Sequence, residues 1–192
     1  MDAFATYTDL ELRLNRTFTV DEQSWITALL EDASTYLRDD VIGLQVYPQA
    51  TSTFTAWPDG GRVDIPQQPL ISIDLVEDAD GNTLVEDTDY TRRDSTLSFN
   101  SDDPVTITFT YGYTTAPDSL IRWTCVLVSQ ALIPLEQNLG LTVGGLSSVA
   151  IDDFKAAFAD AGENTGITLS DRNIALLRRQ FGVGDVTVVT TR

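Results

Sequence analysis

No histidine occurs in the 192 residues, and there is one cysteine, one methionine and one lysine. Without an imidazole there is no Ser–His or Cys–His nucleophile and no histidine metal site. A lone Cys125 excludes an internal disulfide and cannot build a zinc or iron–sulfur cluster. It falls in an apolar helical pattern, where a thiol is buried and inert. No apolar run approaches the roughly 20 residues of a membrane span; Cys125-Val126-Leu127-Val128 is typical of the longest. The opening Met1-Asp2-Ala3-Phe4-Ala5 has neither a basic flank nor an apolar run, so no secretory signal is expected. Phosphate loops are missing too: Lys155 follows Asp-Asp-Phe, and Gly144-Gly145 follows no strong strand pattern.

Carboxylate is what the chain has in excess. Twenty-nine acidic residues face twelve basic ones, for a net charge of −17 and a pI near 4.1. Of these, 22 are Asp and 7 Glu, against 11 Arg and Lys155. Such a surface repels phosphate, so groove reading or tight backbone binding to nucleic acid is not expected. Abundant Asp with almost no Lys resembles proteins of salt-loving archaea, where a Debye length of about 3 Å near 1 M salt screens crowded like charge. Glu77, Asp78, Asp80, Glu86, Asp87 and Asp89 surround Gly81 in a run that invites comparison with a calcium loop. An EF-hand puts Asp first and Gly sixth; with Gly81 sixth, Val76 is first and the register fails. The run reads instead as a hairpin turning at Asp80-Gly81 with a solvated acidic rim. A glycosidase pair is conceivable among so many carboxylates but has no specific signature. No enzyme activity, metal or cofactor is expected.

Periodicity divides the chain. Thr8 with Glu11, and Thr19 with Glu22, are capping-box signatures, and Tyr7 is placed to staple onto Leu12. Trp25, Ile26, Leu29, Leu30, Ala33, Leu37 and Val41 form one helical stripe closed by Gly43. From 44 to 113 the pattern has period two. Val105, Ile107, Phe109 and Tyr111 alternate with threonines, and Ile71, Ile73 and Leu75 with Ser72 and Asp74; shorter strands are read at Thr53 to Trp57, Arg62 to Ile65, Tyr90 to Arg93 and Leu97 to Phe99. That predicts five to seven antiparallel strands in a small sandwich or rolled sheet. After Pro117-Asp118 a helix apolar on several sides runs to Leu139, with Pro134 expected to kink it or break its last turn. Residues 140–167 read as an extended irregular loop, with a possible short helix at Asp152 to Ala161. A last helix starts at Ser170, stapled by Leu169 and Ile174, and Gly182 follows it. The fold class is α+β: one domain with a helical core from 1–43, 114–139 and 168–182, an inserted β-module at 44–113, and a C-terminal strand tail at 183–192. In that tail Val186, Thr187, Val188, Val189 and Thr190 are the candidate partner-binding residues, because a lone strand must satisfy its backbone on a sheet edge.

The order of segments carries a resemblance. Tyr7 to Leu14 reads Tyr-Thr-Asp-Leu-Glu-x-Arg-Leu, and a Thr-x-x-Glu helix ends near Tyr36-Leu37-Arg38. Then come Ile65-Pro66-Gln67-Gln68-Pro69-Leu70-Ile71-Ser72-Ile73, Thr110-Tyr111-Gly112-Tyr113, Ala116-Pro117-Asp118, and Leu169-Ser170-Asp171 before Ala175-Leu176-Leu177-Arg178-Arg179. This resembles the head-to-tail adaptor (head–tail connector) proteins of long-tailed phages and archaeal tailed viruses, over nearly the whole chain. The resemblance implies a non-catalytic virion protein at the neck, assembled in the host cytoplasm as a ring of about twelve copies. Its implied partners are the portal protein on one face and the next neck or tail connector on the other. Genome DNA would pass through the lumen without specific binding; were DNA bound, Arg92, Arg93, Arg178 and Arg179 would be the residues to examine. Two other readings stand beside it: a tail-completion or stopper ring, and a β-sandwich module that binds a ligand.

Overall fold

The computed structural model describes residues 2–138 and 169–182, with 133–138 described by backbone alone. The protein is α+β: among the described residues, four α-helices accompany two antiparallel sheets of three strands each. Two compact units are present. One comprises the chain up to Gly43 and from Ala116 onward; the other is Leu44–Thr115.

In the helical unit, α1 (Tyr7–Leu14) and α2 (Val20–Tyr36) each begin with a capping box, and α2 runs on into a π-helical turn, Leu37–Ile42. The α2 box is the expected one: the Thr19 side chain accepts from the Glu22 N–H and Glu22 answers at the Thr19 backbone. In α1 the box falls two residues earlier than expected, on Thr6 and Asp9. Both Thr-x-x-acid pairs satisfy the pattern, but starting at Thr6 puts Leu10 in the fully buried position. The Tyr7–Leu12 staple does not form, since Leu12 is 83% exposed. The whole expected stripe of α2 is buried, and Gly43 closes the π-turn at φ 72°. Helix α3 (Asp118–Asn138) continues for four residues past Pro134, so the proline does not break its last turn. Helix α4 (Asp171–Gln180) starts after Ser170, which makes no side-chain cap bond. It is seated by Arg178, whose Nε donates to the Val41 carbonyl at 2.7 Å, and by buried Leu177 and Phe181. In this unit α2 and α1 both pack on α3, and α4 packs on the π-helical turn. Arg38 is buried in it, its guanidinium over the Phe4 ring at 4.8 Å and donating to the Asp2 carbonyl.

In the β-unit the strands are β1 (Ala50–Ala56), β2 (Arg62–Asp64), β3 (Leu70–Glu77), β4 (Tyr90–Arg93), β5 (Thr96–Phe99) and β6 (Val105–Tyr111). The sheets are ordered β1-β6-β3 and β2-β5-β4. Apolar residues of both form one core that includes Val63, Val76, Tyr90, Leu97, Ile107 and Phe109. Central β6 alternates as read, with Val105, Ile107, Phe109 and Tyr111 buried. Its threonines pair with those of β1 on the other face: Thr51 with Thr110, Thr53 with Thr108 and Thr55 with Thr106, hydroxyls 2.8–3.1 Å apart.

Strand β3 departs from the expected alternation. Its register against β6 shifts between Leu70 and Ser72 and again between Ile73 and Leu75. Each irregularity flips the side-chain phase. Leu70, Ile73 and Val76 therefore face the core, while Ile71 is left 49% exposed. At the β1–β2 turn, Gly61 has φ 74°, and a Cβ there would stand 2.6 Å from the Phe99 carbonyl oxygen; only glycine fits this close crossing.

Candidate interaction surfaces

The chemistry expected to be inert is structurally employed. Cys125 is buried, and burial pushes its thiol up to about 11, against the opposing pull of Arg13. It is a protonated thiol at neutral pH, without nucleophilic character. Asp78 builds the acidic hairpin: its carboxylate accepts from the Asp80 and Asn82 N–H groups and from the Asn82 side chain, and these bonds hold it below the ordinary carboxylate range. Among the described residues, no group of three or more His, Cys, Asp or Glu is placed to hold a metal ion.

Two surfaces of the helical unit stand out. The first is the corner where α1 turns into α2. Asn15 ends α1 in the left-handed region, and the Phe18 N–H donates back to Glu11 Oε1 at 2.6 Å. Arg16 pairs with Glu22, the same carboxylate that caps α2. Burial works to raise the Glu22 pKa, but the Thr19 and Arg16 bonds outweigh it and hold the group below the usual carboxylate range. It stays charged at neutral pH and pins the corner. On the outside of this braced turn Leu12 and Val20 are 83% and 80% exposed, with Glu11 and Asp21 beside them in the chain.

The second surface is a groove of about 500 Å³ between the first turns of α3 and the end of α4. Trp123, Leu176 and Leu177 give it an apolar lining, and Arg122 and Arg179 contribute its charge. Gln180 Nε2 donates to Ser119 Oγ at 2.9 Å, tying the two helices together. The Arg122 guanidinium lies 5.3 Å from the Trp123 ring centroid. Leu176 is 54% exposed. Among the described residues no carboxylate lines the groove, and α4 carries three arginines against one aspartate. The local charge is inverted relative to the chain.

The expected partner-binding residues Val186, Thr187, Val188, Val189 and Thr190 lie outside the described residues, as do the 140–167 loop and the possible helix at 152–161. Sequence reasoning passed over the groove. Its signal was available, because Arg172, Arg178 and Arg179 cluster within eight residues of an otherwise acidic chain. A whole-chain charge hides that inversion, and Trp123 belongs to a helix read as apolar on several sides.

No protein-family model matches the chain, and no curated protein matches it. Among solved structures, it is similar to a chain in the neck of an empty GTA particle computed with C6 symmetry (15% identity, TM-score 0.40), over 77% of this chain and 87% of that one. It is also similar to a chain in the virion of a native gene transfer agent (GTA) particle (15%, TM-score 0.41), over 84% and 92%. A chain in the neck of the native particle computed with C12 symmetry gives 15% and 0.34, over 81% and 92%. Likeness this distant does not assign a family.

Proposed function

We propose that the chain is a non-catalytic structural virion protein, one copy of a ring at the neck that joins a capsid's portal to its tail. The observation that carries the reading is where the resemblance-bearing segments fall. Tyr7–Leu14 is α1 itself; Ile65 to Ile73 leads into β3; Thr110 to Tyr113 ends β6; Ala116-Pro117-Asp118 opens α3; and Leu169 to Arg179 starts and fills α4. Each segment forms, starts or ends an element, as expected of an architectural signature with no catalytic residues in it. The neck and virion chains described above agree with this reading without adding weight to it.

On this reading the ring holds about twelve copies, its partners are the portal protein and the next neck or tail connector, and DNA crosses a lumen that repels it. Twelve chains at −17 each carry on the order of −200 before counterions. The same acidity suits a virus of a high-salt host. The segment 183–192, which the sequence pattern reads as a strand, is on this reading the portal-binding element, and Gly182, at φ 76°, stands just before it. Its backbone would be satisfied by adding to a sheet edge of the portal.

One experiment addresses both statements. The full chain and a chain lacking 183–192 are incubated with purified portal from the same virus and sedimented. The full chain is expected to co-sediment and the shortened one to stay in solution, with an unchanged thermal melt. A full chain that ignores the portal overturns the adaptor reading. A shortened chain that binds as well, or that melts at lower temperature with binding intact, overturns the role of the tail alone.

A further inference from the structure

We propose, resting on the ring reading above, that neighbouring copies join head to tail: the Leu12–Val20 corner of one copy seats in the Trp123–Leu176 groove of the next. Single exposed aliphatics are ordinary on a protein surface. Here two of them, each at least 80% exposed, flank one turn that is internally braced. The Glu11–Phe18 bond and the Arg16–Glu22 pair fix that turn before any partner arrives. A surface already ordered loses little freedom on docking.

The groove supplies what such a corner needs. Trp123 and Leu176 give an apolar floor, and a tryptophan bordered by arginines is the composition found where binding energy concentrates.

Charge chooses the occupant. Two copies at −17 repel over most of their surfaces. Arg122 and Arg179 form a place where an acidic neighbour is attracted; Glu11 and Asp21 lie next to the two apolar tips in the chain, while Arg13, the other neighbour of Leu12, bonds back to the Cys125 thiol. Complementary potentials fix register and exclude other pairings.

Geometry favours a repeating contact over a closed pair. Leu12 and fully buried Leu10 are two residues apart on α1, so they point to different sides of the helix. Helix α1 borders α3 near Cys125, whose thiol responds to Asp9 and Arg13, whereas the groove uses the earlier turns of α3 together with α4. Corner and groove share no residue, so a copy can engage one neighbour with each. A contact between unlike surfaces closes into a ring when its rotation permits.

The test mixes two separately purified full-length proteins, Leu12→Cys and Leu176→Cys, at high concentration with a short bis-maleimide. Buried Cys125, with its thiol near 11, stays out of the reaction. The cross-linked dimer is expected in the mixture and not in either protein alone. Its yield should fall about tenfold when Arg122→Glu and Arg179→Glu, both at exposed positions, are added to the Leu176→Cys chain. No product in the mixture, or equal product from either protein alone, overturns the contact. Light scattering on the same samples, with assembled portal added, separates the two ideas. A ring on assembled portal without the mixed product keeps the ring and discards this interface; the mixed product from a chain that never exceeds a dimer even on assembled portal keeps the interface and discards the ring.

Discussion

Phe109→Ala is expected to cost the β-unit about 3–5 kcal/mol, the range for removing a buried phenylalanine. Phe109 is 1% exposed on β6, the central strand of its sheet, with Phe54 edge-on at 5.6 Å and Tyr111 tilted against it at 5.3 Å. A unit of this size has a total stability of about 4–10 kcal/mol, so the substitution removes a large share of it. Thr108→Ala is the control. It lies on the same strand but faces outward, bonded only to Thr53 across the ladder, and should cost less than about 1 kcal/mol. Urea denaturation followed by near-ultraviolet circular dichroism separates the two. Equal losses would mean that the core does not lie where β6 places it.

The melting temperature is expected to climb by about 10 °C or more between roughly 0.1 M and 2 M KCl, a gain of about 2 kcal/mol for a unit this size. Residues 44–115 carry twelve acidic side chains and three basic ones, and most of the acidic ones are exposed. Several serve as turn formers, as Asp78 does, and others, like Asp74 with Ser72 and Thr110, bond to hydroxyls; neither arrangement offsets negative charge. Screening is then the remaining way to relieve the repulsion. A flat curve over this range would remove the high-salt inference and leave the fold untouched.

Much of this fold was legible in the sequence because its signals were local and redundant. The Thr19–Glu22 box, the α2 stripe and Gly43 mark one helix from start to finish, and the alternation of β6 could be read from seven residues. Two failures share a different cause. The α1 cap was ambiguous because Thr6–Asp9 and Thr8–Glu11 both fit the pattern, and only burial of Leu10 decides between them. The phase of β3 depends on two register shifts against β6, a long-range property that alternation within one strand cannot contain. The surfaces were harder still. Leu12 looked like half of a staple, and no local pattern marked Leu176 as exposed; that both face water is a statement about what the rest of the chain leaves uncovered.

The central claim is that this protein works as one copy in a ring at a portal. It is tested most directly by the mass of the complex, measured by light scattering or native mass spectrometry with and without assembled portal. Alone, the protein is expected as monomer or small oligomers, since like charge opposes association. On the portal, about twelve copies should be bound per portal ring. A chain that remains monomeric in the presence of assembled portal would contradict the account.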